Sequence, residues 1–310
     1  MISPWSERSL PSDPHRRSLP IIDDAVIHKD DEAPSTGGCL RAIRIDDPTL
    51  LPFRRRANMD AIRAVSDSRF SRQEWQVRCD LAACYRAFVK FGWTDLIYTH
   101  ISARHPSIDD RYYINPYGLL FDEITASNLI EVDFEGNVVQ GDYPLNDAGH
   151  AIHSTILQHR PDLNWILHTH TRAGMAVSCM REGLLPITQQ AMLFDGHLAY
   201  HEYDLQTSGP EECERLVADL GTHNMMILHN HGLLSCAAGV ARAFTMLYNL
   251  ENACKVQVDV LSSRAEIIHP RPEAVERLAQ YGSPSGSEPC QLEWEAVLRM
   301  LDREDPSYRH

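Results

Sequence analysis

The sequence lacks the features of an exported or membrane-spanning protein. It has no run of about 18 apolar residues, which is close to the length that a membrane-spanning helix needs. Its opening stretch, "MISPWSERSLPSDPHRRSLP", has no apolar core of the kind found in signal peptides. A basic excess is also missing, because 43 Asp and Glu outnumber 29 Lys and Arg and give a net charge of −14. Nucleic acids and anionic membranes bind basic surfaces, so we expect neither as a partner and expect a cytoplasmic protein.

The eight cysteines form no C-x-x-C motif. Most of them lie in apolar surroundings, where reduced thiols pack as small hydrophobic side chains. We therefore expect buried, inert thiols. The apolar content itself is high, at 43% of 310 residues, which is ample for a substantial core.

The composition changes near Ser71. Residues 1–70 are rich in Pro, Ser, Asp and Arg with little periodicity, which favours an extended or weakly ordered arm. "SRQEWQVRCDLAACYRAFVKFGW" then begins with Ser, has Glu74 three residues later and repeats apolar residues at helical spacing, which predicts a capped amphipathic helix. We place a folded domain at 71–265 and a C-terminal helical extension at 266–310, packed on the domain or on a neighbouring subunit.

Short strands and helices follow this first helix. Strands are predicted in "LIYTHISARH" and "RYYINPYG", and two more flank the turn "FEGN". "NDAGHAIHSTILQHRP" predicts a helix capped by Asn146 or Asp147 and ended by Pro161. "LNWILH" and "MMILHNHG" are apolar strands, followed by helices in "TRAGMAVSCMREG" and in a long segment after Gly239. This mixture indicates an α/β layered fold.

Both apolar strands end on pairs of histidines. His168 and His170 are two residues apart, as are His229 and His231, and Gly232 permits a tight turn. Residues i and i+2 of a strand share a face, so each pair can present two imidazoles to one divalent ion. A histidine at a strand end can also bond to a loop carbonyl, but several converging there favour an ion. Three nitrogen ligands with an open position are typical of a catalytic site.

The motifs "THISAR", "INPYGLLFDEITASNLIEVDFEGNVV", "NDAGHAIHSTI", "HTHTRAGMAVS", "QQAMLFDGHLAYHEYD" and "ILHNHGLLSC" together resemble the class II aldolase/adducin family over about residues 75–262. The resemblance implies a three-layer α/β/α fold with a central, mainly antiparallel sheet, usually in a homotetramer with sites near subunit interfaces. It implies His168, His170 and His231 as ligands of a divalent ion, zinc first, with manganese or iron as alternatives. His229 matches no ligand.

The sequence departs from the sugar-phosphate aldolases of that family. Those enzymes carry an acid/base glutamate four residues before the histidine that matches His153, and the residue here is Gly149. Their Ser- and Thr-rich phosphate segments match "NPYG" and "NDAG", and an Asn of the phosphate site matches His100. Asp147 would repel a phosphate dianion. We therefore expect a small, non-phosphorylated substrate.

Three residues are candidates for the missing acid/base group. His150 is adjacent to Gly149, and Tyr200 and His201 lie in "LAYHEYD". The family places aromatic hydroxyls near the metal from a neighbouring subunit, which favours this second segment. A solvent-facing position for His150 and strand packing for the other two are the structural alternatives.

Further residues are candidates for substrate binding or for support of the metal ligands. Arg104 and Asn115, together with His100, are predicted to bind a substrate carboxylate or diol. A salt bridge for Arg104 and a turn-stabilising bond for Asn115 are the alternatives. His153 lies on the same helix face as Gly149, where it can support a ligand through a hydrogen bond.

The implied chemistry is cleavage of a C–C bond. A divalent ion on three histidines can chelate two substrate oxygens and stabilise the enolate formed when a neighbouring bond breaks. Retro-aldol cleavage and decarboxylation of hydroxy, keto or aromatic acids share that intermediate. Decarboxylation needs no prior deprotonation, which favours a decarboxylase. Two alternatives stay open: a non-haem Fe(II) oxygenase on the same triad, and a non-catalytic, adducin-like interaction domain.

Overall fold

A computed structural model describes residue 67 and the ranges 69–202, 209–284 and 290–310. The predicted N-terminal arm, residues 1–70, lies outside this part of the chain except for positions 67, 69 and 70. None of the helices in the described ranges is both long enough and apolar enough to span a bilayer.

The centre of the fold is a sheet of eight strands in the order β4-β3-β2-β1-β5-β8-β7-β6. All neighbouring strands are antiparallel except β6 and β7, which run parallel. The predicted, mainly antiparallel sheet is confirmed. The strands are β1 (His100–Arg104), β2 (Arg111–Ile114), β3 (Ile130–Asp133), β4 (Val138–Gln140), β5 (Trp165–Thr169), β6 (Leu198–Glu202), β7 (Met225–His229) and β8 (Gly232–Ala237).

Helices cover both faces of this sheet. The described helices are α1 (Arg72–Phe91), α2 (Asp147–His159), α3 (Arg172–Ser178), α4 (Gln189–Met192), α5 (Pro210–Leu220), α6 (Val240–Ser263), α7 (Pro272–Gly282) and α8 (Gln291–Glu304), with short 3-10 helices at Phe121–Glu123 and Pro306–Arg309. One core joins the sheet to α1, α3, α6 and α8. A second core joins the other face to α2 and α5. The protein therefore has the three-layer α/β/α architecture.

Alternation along β5 decides which face receives the first histidine. Leu167 belongs to the core shared with α6, whereas Ile166 belongs to the core shared with α2. Successive strand residues point to opposite faces, so His168 shares the face of Ile166. His168 is paired with His100 on β1, which points the same way. The imidazoles therefore collect between the sheet and α2.

The helix ends follow the predicted capping signals. Ser71 and Glu74 form the capping box of α1, in which the Ser71 side chain accepts from the Glu74 N–H and the Glu74 carboxylate accepts from the Ser71 N–H. Gly92 ends the helix with a φ of 69°. Asn146, rather than Asp147, caps α2, because its side chain accepts from the amides of Ala148 and Gly149.

The helix α3 is shorter than the sequence suggests, ending at Ser178 instead of continuing towards Gly183. The Ser178 carbonyl accepts from the Asn230 amide at 3.1 Å and from Nδ1 of His229 at 3.2 Å. That carbonyl therefore anchors the turn between β7 and β8 instead of extending the helix. Two further helices, α4 and α5, lie in segments for which no helix was predicted, whereas α7 falls within the predicted C-terminal helical extension.

The C-terminal helix α8 packs on the domain, which was the first of the two predicted positions. Trp294 is buried, its ring centroid lies 5.3 Å from that of Phe244, and its Nε1 donates to Asp80 at 3.3 Å. Beyond the helix, Tyr308 is buried in the same core.

Candidate metal centre

Three imidazoles converge at the end of β5 and the turn before β8. Nε2 of His168 lies 2.8 Å from Nε2 of His170, which lies 2.9 Å from Nε2 of His231. The ring centroids are 4.7 to 4.8 Å apart. Within the described ranges, this is the one group of three or more His, Cys, Asp or Glu side chains with the spacing of a metal site. Nitrogens this close suit ligands about 2.0 to 2.1 Å from a shared ion.

The tautomers of two histidines agree with metal binding. Nδ1 of His168 lies 3.0 Å from the Leu233 carbonyl oxygen, and Nδ1 of His170 lies 2.9 Å from Oδ2 of Asp95. These oxygens only accept hydrogen bonds, so each Nδ1 carries the proton and each Nε2 presents a lone pair. Two lone pairs facing each other at 2.8 Å repel unless a cation lies between them. The donor set therefore fits a divalent ion.

Burial keeps the imidazoles of His168 and His231 neutral, as metal ligands must be. Burial, followed by the proximity of His231, holds the pKa of His168 well below its ordinary value. Burial, followed by the proximity of His170, lowers the pKa of His231 to about 4. A proton shared between two of the nitrogens would require a charged ring, which burial disfavours. A metal ion binds neutral rings and has no such requirement.

The turn that carries His231 differs from the expected one. The left-handed residue is Asn230, with a φ of 56°, and not Gly232. A side chain at Gly232 would place its Cβ 2.2 Å from the Thr169 carbonyl oxygen. Glycine is needed because β8 begins in close contact with the end of β5, which brings His231 beside His170.

His229 lies apart from the three nitrogens. Its Nδ1 donates to the Ser178 carbonyl, and its ring stacks on Tyr200 with centroids 5.5 Å apart. This placement agrees with the prediction that it packs or orients the turn.

His100 is the predicted substrate-binding residue that the fold brings to the cluster. Its ring stacks on His168 with centroids 5.0 Å apart, and its Nδ1 lies 2.7 Å from Nε2 of His153. Nδ1 of His153 in turn contacts the Ser102 hydroxyl. Burial lowers the pKa of His153 to about 3. His153 therefore supports His100 and does not bond directly to a metal-site histidine.

The ring of His100 also explains Gly149. A Cβ at position 149 would lie 2.7 Å from Cδ2 and 2.9 Å from Cγ of His100. Contacts below 3.0 Å are essentially never found for real Cβ atoms. Gly149 is therefore the helix position at which the His100 ring occupies the place of a side chain.

Two of the three predicted acid/base candidates, His150 and Tyr200, make contacts away from the three nitrogens. Nδ1 of His150 bonds to the Tyr112 hydroxyl at 2.7 Å, so its ring faces β2. The Tyr200 hydroxyl accepts from the Leu184 amide at 3.0 Å. These side chains make structural contacts, and the chain does not bring them to the three nitrogens.

His201 is closer to the cluster but has both ring nitrogens engaged. Nε2 lies 2.8 Å from Glu212 and Nδ1 lies 2.7 Å from Asp219, which fastens α5 to β6. A cavity of about 20 Å³, enough for one water, is lined by His201, His231, Glu212, Cys213 and three aliphatic side chains. Its contacts make His201 a link between helix and sheet.

The remaining substrate-binding candidates are also tied to the scaffold. Arg104 donates to the carbonyl oxygens of Leu157, Leu163 and Asp109, which joins β1 to the end of α2. Asn115 is buried, and its Oδ1 accepts from the Tyr85 hydroxyl at 2.9 Å. Arg104 thus bonds to main-chain carbonyl oxygens near the end of α2, and not through the salt bridge that was the alternative to substrate binding.

Sequence reasoning missed Asp95, which contacts His170. It also missed Glu251, whose carboxylate accepts from the Thr171 hydroxyl and lies 3.3 Å from Lys255. Burial raises the pKa of Glu251. These contacts tie the residue after His170 to α6. No local pattern identifies either carboxylate, because each meets the site only through the tertiary fold.

Taken together, the α/β/α sheet and a three-histidine centre at a strand end define a protein with a candidate metal-dependent active site. The model of the Class II Aldolase and Adducin N-terminal domain matches residues 79–258. The chain therefore belongs to the class II aldolase/adducin family.

Several relatives show the range of this family. A Pseudomonas aeruginosa protein, named provisionally as a class 2 aldolase, is 46% identical and covers 77% of this chain and 94% of its own. Alpha-adducin of Rattus norvegicus is 39% identical over 75% of this chain but only 34% of its own length.

Solved structures of aldolase II proteins have a similar fold. An aldolase II superfamily protein from Pseudomonas syringae has a TM-score of 0.74 at 46% identity and covers 78% of this chain and 98% of its own. L-fuculose 1-phosphate aldolase from Glaciozyma antarctica has a TM-score of 0.67 at 25% identity and covers 81% and 99%.

Proposed function

We propose that the protein is a metal-dependent C–C lyase, of decarboxylase or aldolase type, for a small non-phosphorylated hydroxy, keto or aromatic acid. The observation that carries the proposal is the convergence of the three Nε2 atoms of His168, His170 and His231 within 2.8 to 2.9 Å steps. Zinc is the proposed ion, with manganese or iron as alternatives.

The chain's own residues set the limits of the chemistry. A divalent ion held there supplies Lewis-acid stabilisation of negative charge that develops on substrate oxygens. His168 and His170 present fixed lone pairs because their Nδ1 protons are bonded. Position 149 offers no carboxylate, since the His100 ring fills its space. Decarboxylation, which needs only one later protonation, is favoured over aldol cleavage for that reason.

The first turn of α2 supports a substrate without phosphate. The amides of Ala148 and Gly149, which could bind an anion at a helix N-terminus, are already capped by the Asn146 side chain. Asp147 adds a negative charge in the same turn. A sugar phosphate, the substrate class in the name of the Glaciozyma antarctica relative, is therefore a poor match for this chain.

We also propose a homotetramer in the cytoplasm that acts on small molecules. The tetramer comes from the family resemblance, and the location from the sequence features described above. Size-exclusion chromatography with light scattering measures the oligomer directly.

Two other functions remain outcomes of the test. An Fe(II)-dependent oxygenase would use the same three histidines. A non-catalytic interaction domain is a second candidate because alpha-adducin is 39% identical over 249 residues.

The test combines metal analysis with turnover. Untagged protein and a His168→Ala/His170→Ala variant are analysed for bound metal, then assayed with a panel of hydroxy, keto and hydroxylated aromatic acids. Near-stoichiometric zinc or manganese that is lost in the variant, with metal-dependent release of carbon dioxide or an aldehyde, supports the lyase. Iron with oxygen consumption supports the oxygenase. Absence of both metal and turnover refutes the enzyme and leaves the interaction domain.

A further inference from the structure

The hydrogen bond between Asp95 and His170 contributes little to the stability of the fold. Oδ2 of Asp95 lies 2.9 Å from Nδ1 of His170, and the side chain of Asp95 is 44% exposed. A partly exposed carboxylate gains little free energy of folding from such a contact, because water competes for both groups. The contact instead fixes which ring nitrogen of His170 carries the proton.

Different groups accept the Nδ1 proton of His168 and that of His170. His168 donates to a main-chain carbonyl, that of Leu233, which the sheet holds in place. His170 lies beyond the last residue of β5, so the register of the sheet supplies no carbonyl for its Nδ1 proton. The acceptor for this proton is instead the carboxylate of Asp95, which lies 75 positions earlier in the chain.

The segment that carries Asp95 is backbone-strained. Leu96 has a φ of 50° and Thr99 a φ of 65°, a region unfavourable for bulky and β-branched side chains. Asp95 and Tyr98 close a tight turn through the Tyr98 amide and the Asp95 carbonyl at 2.8 Å. Five non-glycine residues in the described ranges have positive φ. Of these, Leu96 adjoins Asp95, Thr99 adjoins His100 and Asn230 adjoins His231. Strain concentrated around one point is typical of a functional site.

We propose that Asp95 is the positioning residue of the metal centre and that the strained turn from Asp95 to Thr99 holds it against His170. The inference rests on the proposed function in one respect, that the three histidines bind an ion. Asp95 keeps the proton of His170 on Nδ1, so that Nε2 points its lone pair at the ion. Without Asp95, the ring proton of His170 can move to Nε2, and in that tautomer Nε2 has no lone pair to offer the ion, so metal binding weakens.

The experiment measures metal affinity rather than turnover. Metal-free wild-type protein, Asp95→Ala and Asp95→Asn are titrated with Zn²⁺ against a chromogenic chelator, and with Co²⁺ while visible absorption is recorded. In the Asp95→Asn variant the side-chain amide oxygen can still accept from Nδ1, so this conservative change should restore much of the affinity. The control is Asp122→Ala, which removes the same charge from an exposed position in the short helix Phe121–Glu123.

We expect Asp95→Ala to weaken Zn²⁺ binding by about 10- to 100-fold, as loss of a hydrogen-bond partner of a metal ligand commonly does. Its Co²⁺ spectrum should change in band position, whereas that of Asp122→Ala should match the wild type. Affinity and spectrum unchanged in Asp95→Ala, while wild-type protein binds the ion, would overturn this inference and leave the proposed function intact. Wild-type protein that binds neither ion would overturn the proposed function and this inference with it.

Discussion

Replacing Gly149 by alanine tests whether the ring of His100 is held firmly in the space that a side chain at position 149 would need. The new Cβ would lie 2.7 Å from Cδ2 of His100, about 0.7 Å short of the 3.4 Å at which ordinary contact begins. The ring cannot swing aside freely, because it bonds to His153 and stacks on His168. Overpacking of this kind costs about 1 to 3 kcal/mol. Alanine in a helix recovers about 1 kcal/mol relative to glycine, so we expect a net loss of up to about 2 kcal/mol.

The assay is urea unfolding of metal-free protein in the presence of a chelator, followed by circular dichroism. Gln158, exposed on the same helix, provides the control: the difference between Gln158→Ala and Gln158→Gly measures helix propensity without the clash. In a His100→Ala/Gly149→Ala double variant the methyl group no longer meets a ring, so the two changes should couple by about 1 kcal/mol or more. If Gly149→Ala gains the full propensity difference measured at Gln158, the ring is not a barrier and the reasoning is refuted.

Two other predictions concern histidine burial and a predicted substrate contact. Burial lowers the pKa of His153 to about 3, whereas an unfolded histidine protonates near pH 6.5. The free energy of unfolding of the metal-free protein should therefore fall as the pH drops from about 6.5 towards 3. The expected slope is up to about 1.4 kcal/mol per pH unit for each such histidine. In urea titrations at several pH values His153→Gln should flatten this slope, and an identical slope would contradict the assignment. Arg104→Lys should lower the free energy of unfolding by about 1 to 3 kcal/mol, because carbonyl oxygens at the end of α2 lose a donor, and should leave KM for the acid substrate unchanged. A raised KM at unchanged stability would restore the predicted role of Arg104 in substrate binding.

The elements that local pattern predicts are those with local causes. Ser71 and Glu74 cap α1 because the two residues are three apart. The i, i+2 spacing of His168 and His170 predicted that their imidazoles meet, and they do so although His170 lies just beyond the last residue of β5. Spacing alone did not decide whether His229 or His231 is the third member of the cluster, and the structure places His231 there. Family resemblance selected the residue, and the turn through Asn230 shows how it reaches the cluster.

Polar side chains outside that pattern were harder to place, and the reason is competition for donors and acceptors. A histidine or arginine near a predicted site is equally attracted by any buried carbonyl or carboxylate that the fold brings near. His150 meets Tyr112, His201 meets Glu212 and Asp219, and Arg104 meets the end of α2. These partners come from distant segments, so proximity in sequence to Gly149 or to an active-site motif could not exclude them.

His100 and Gly149 are, in structural terms, one departure from the sugar-phosphate aldolase pattern rather than two. The His100 ring needs the space of a side chain at position 149, and the glycine provides it. A glutamate restored at 149 alone would meet the ring at 2.7 Å before its carboxylate could reach the centre. The carboxylate and the imidazole exclude each other, and the capped first turn of α2 disfavours phosphate independently. In the proposed function, the substrate would therefore react beside the neutral, His153-supported imidazole of His100 and without a carboxylate at position 149, and this favours a substrate able to lose carbon dioxide without prior deprotonation.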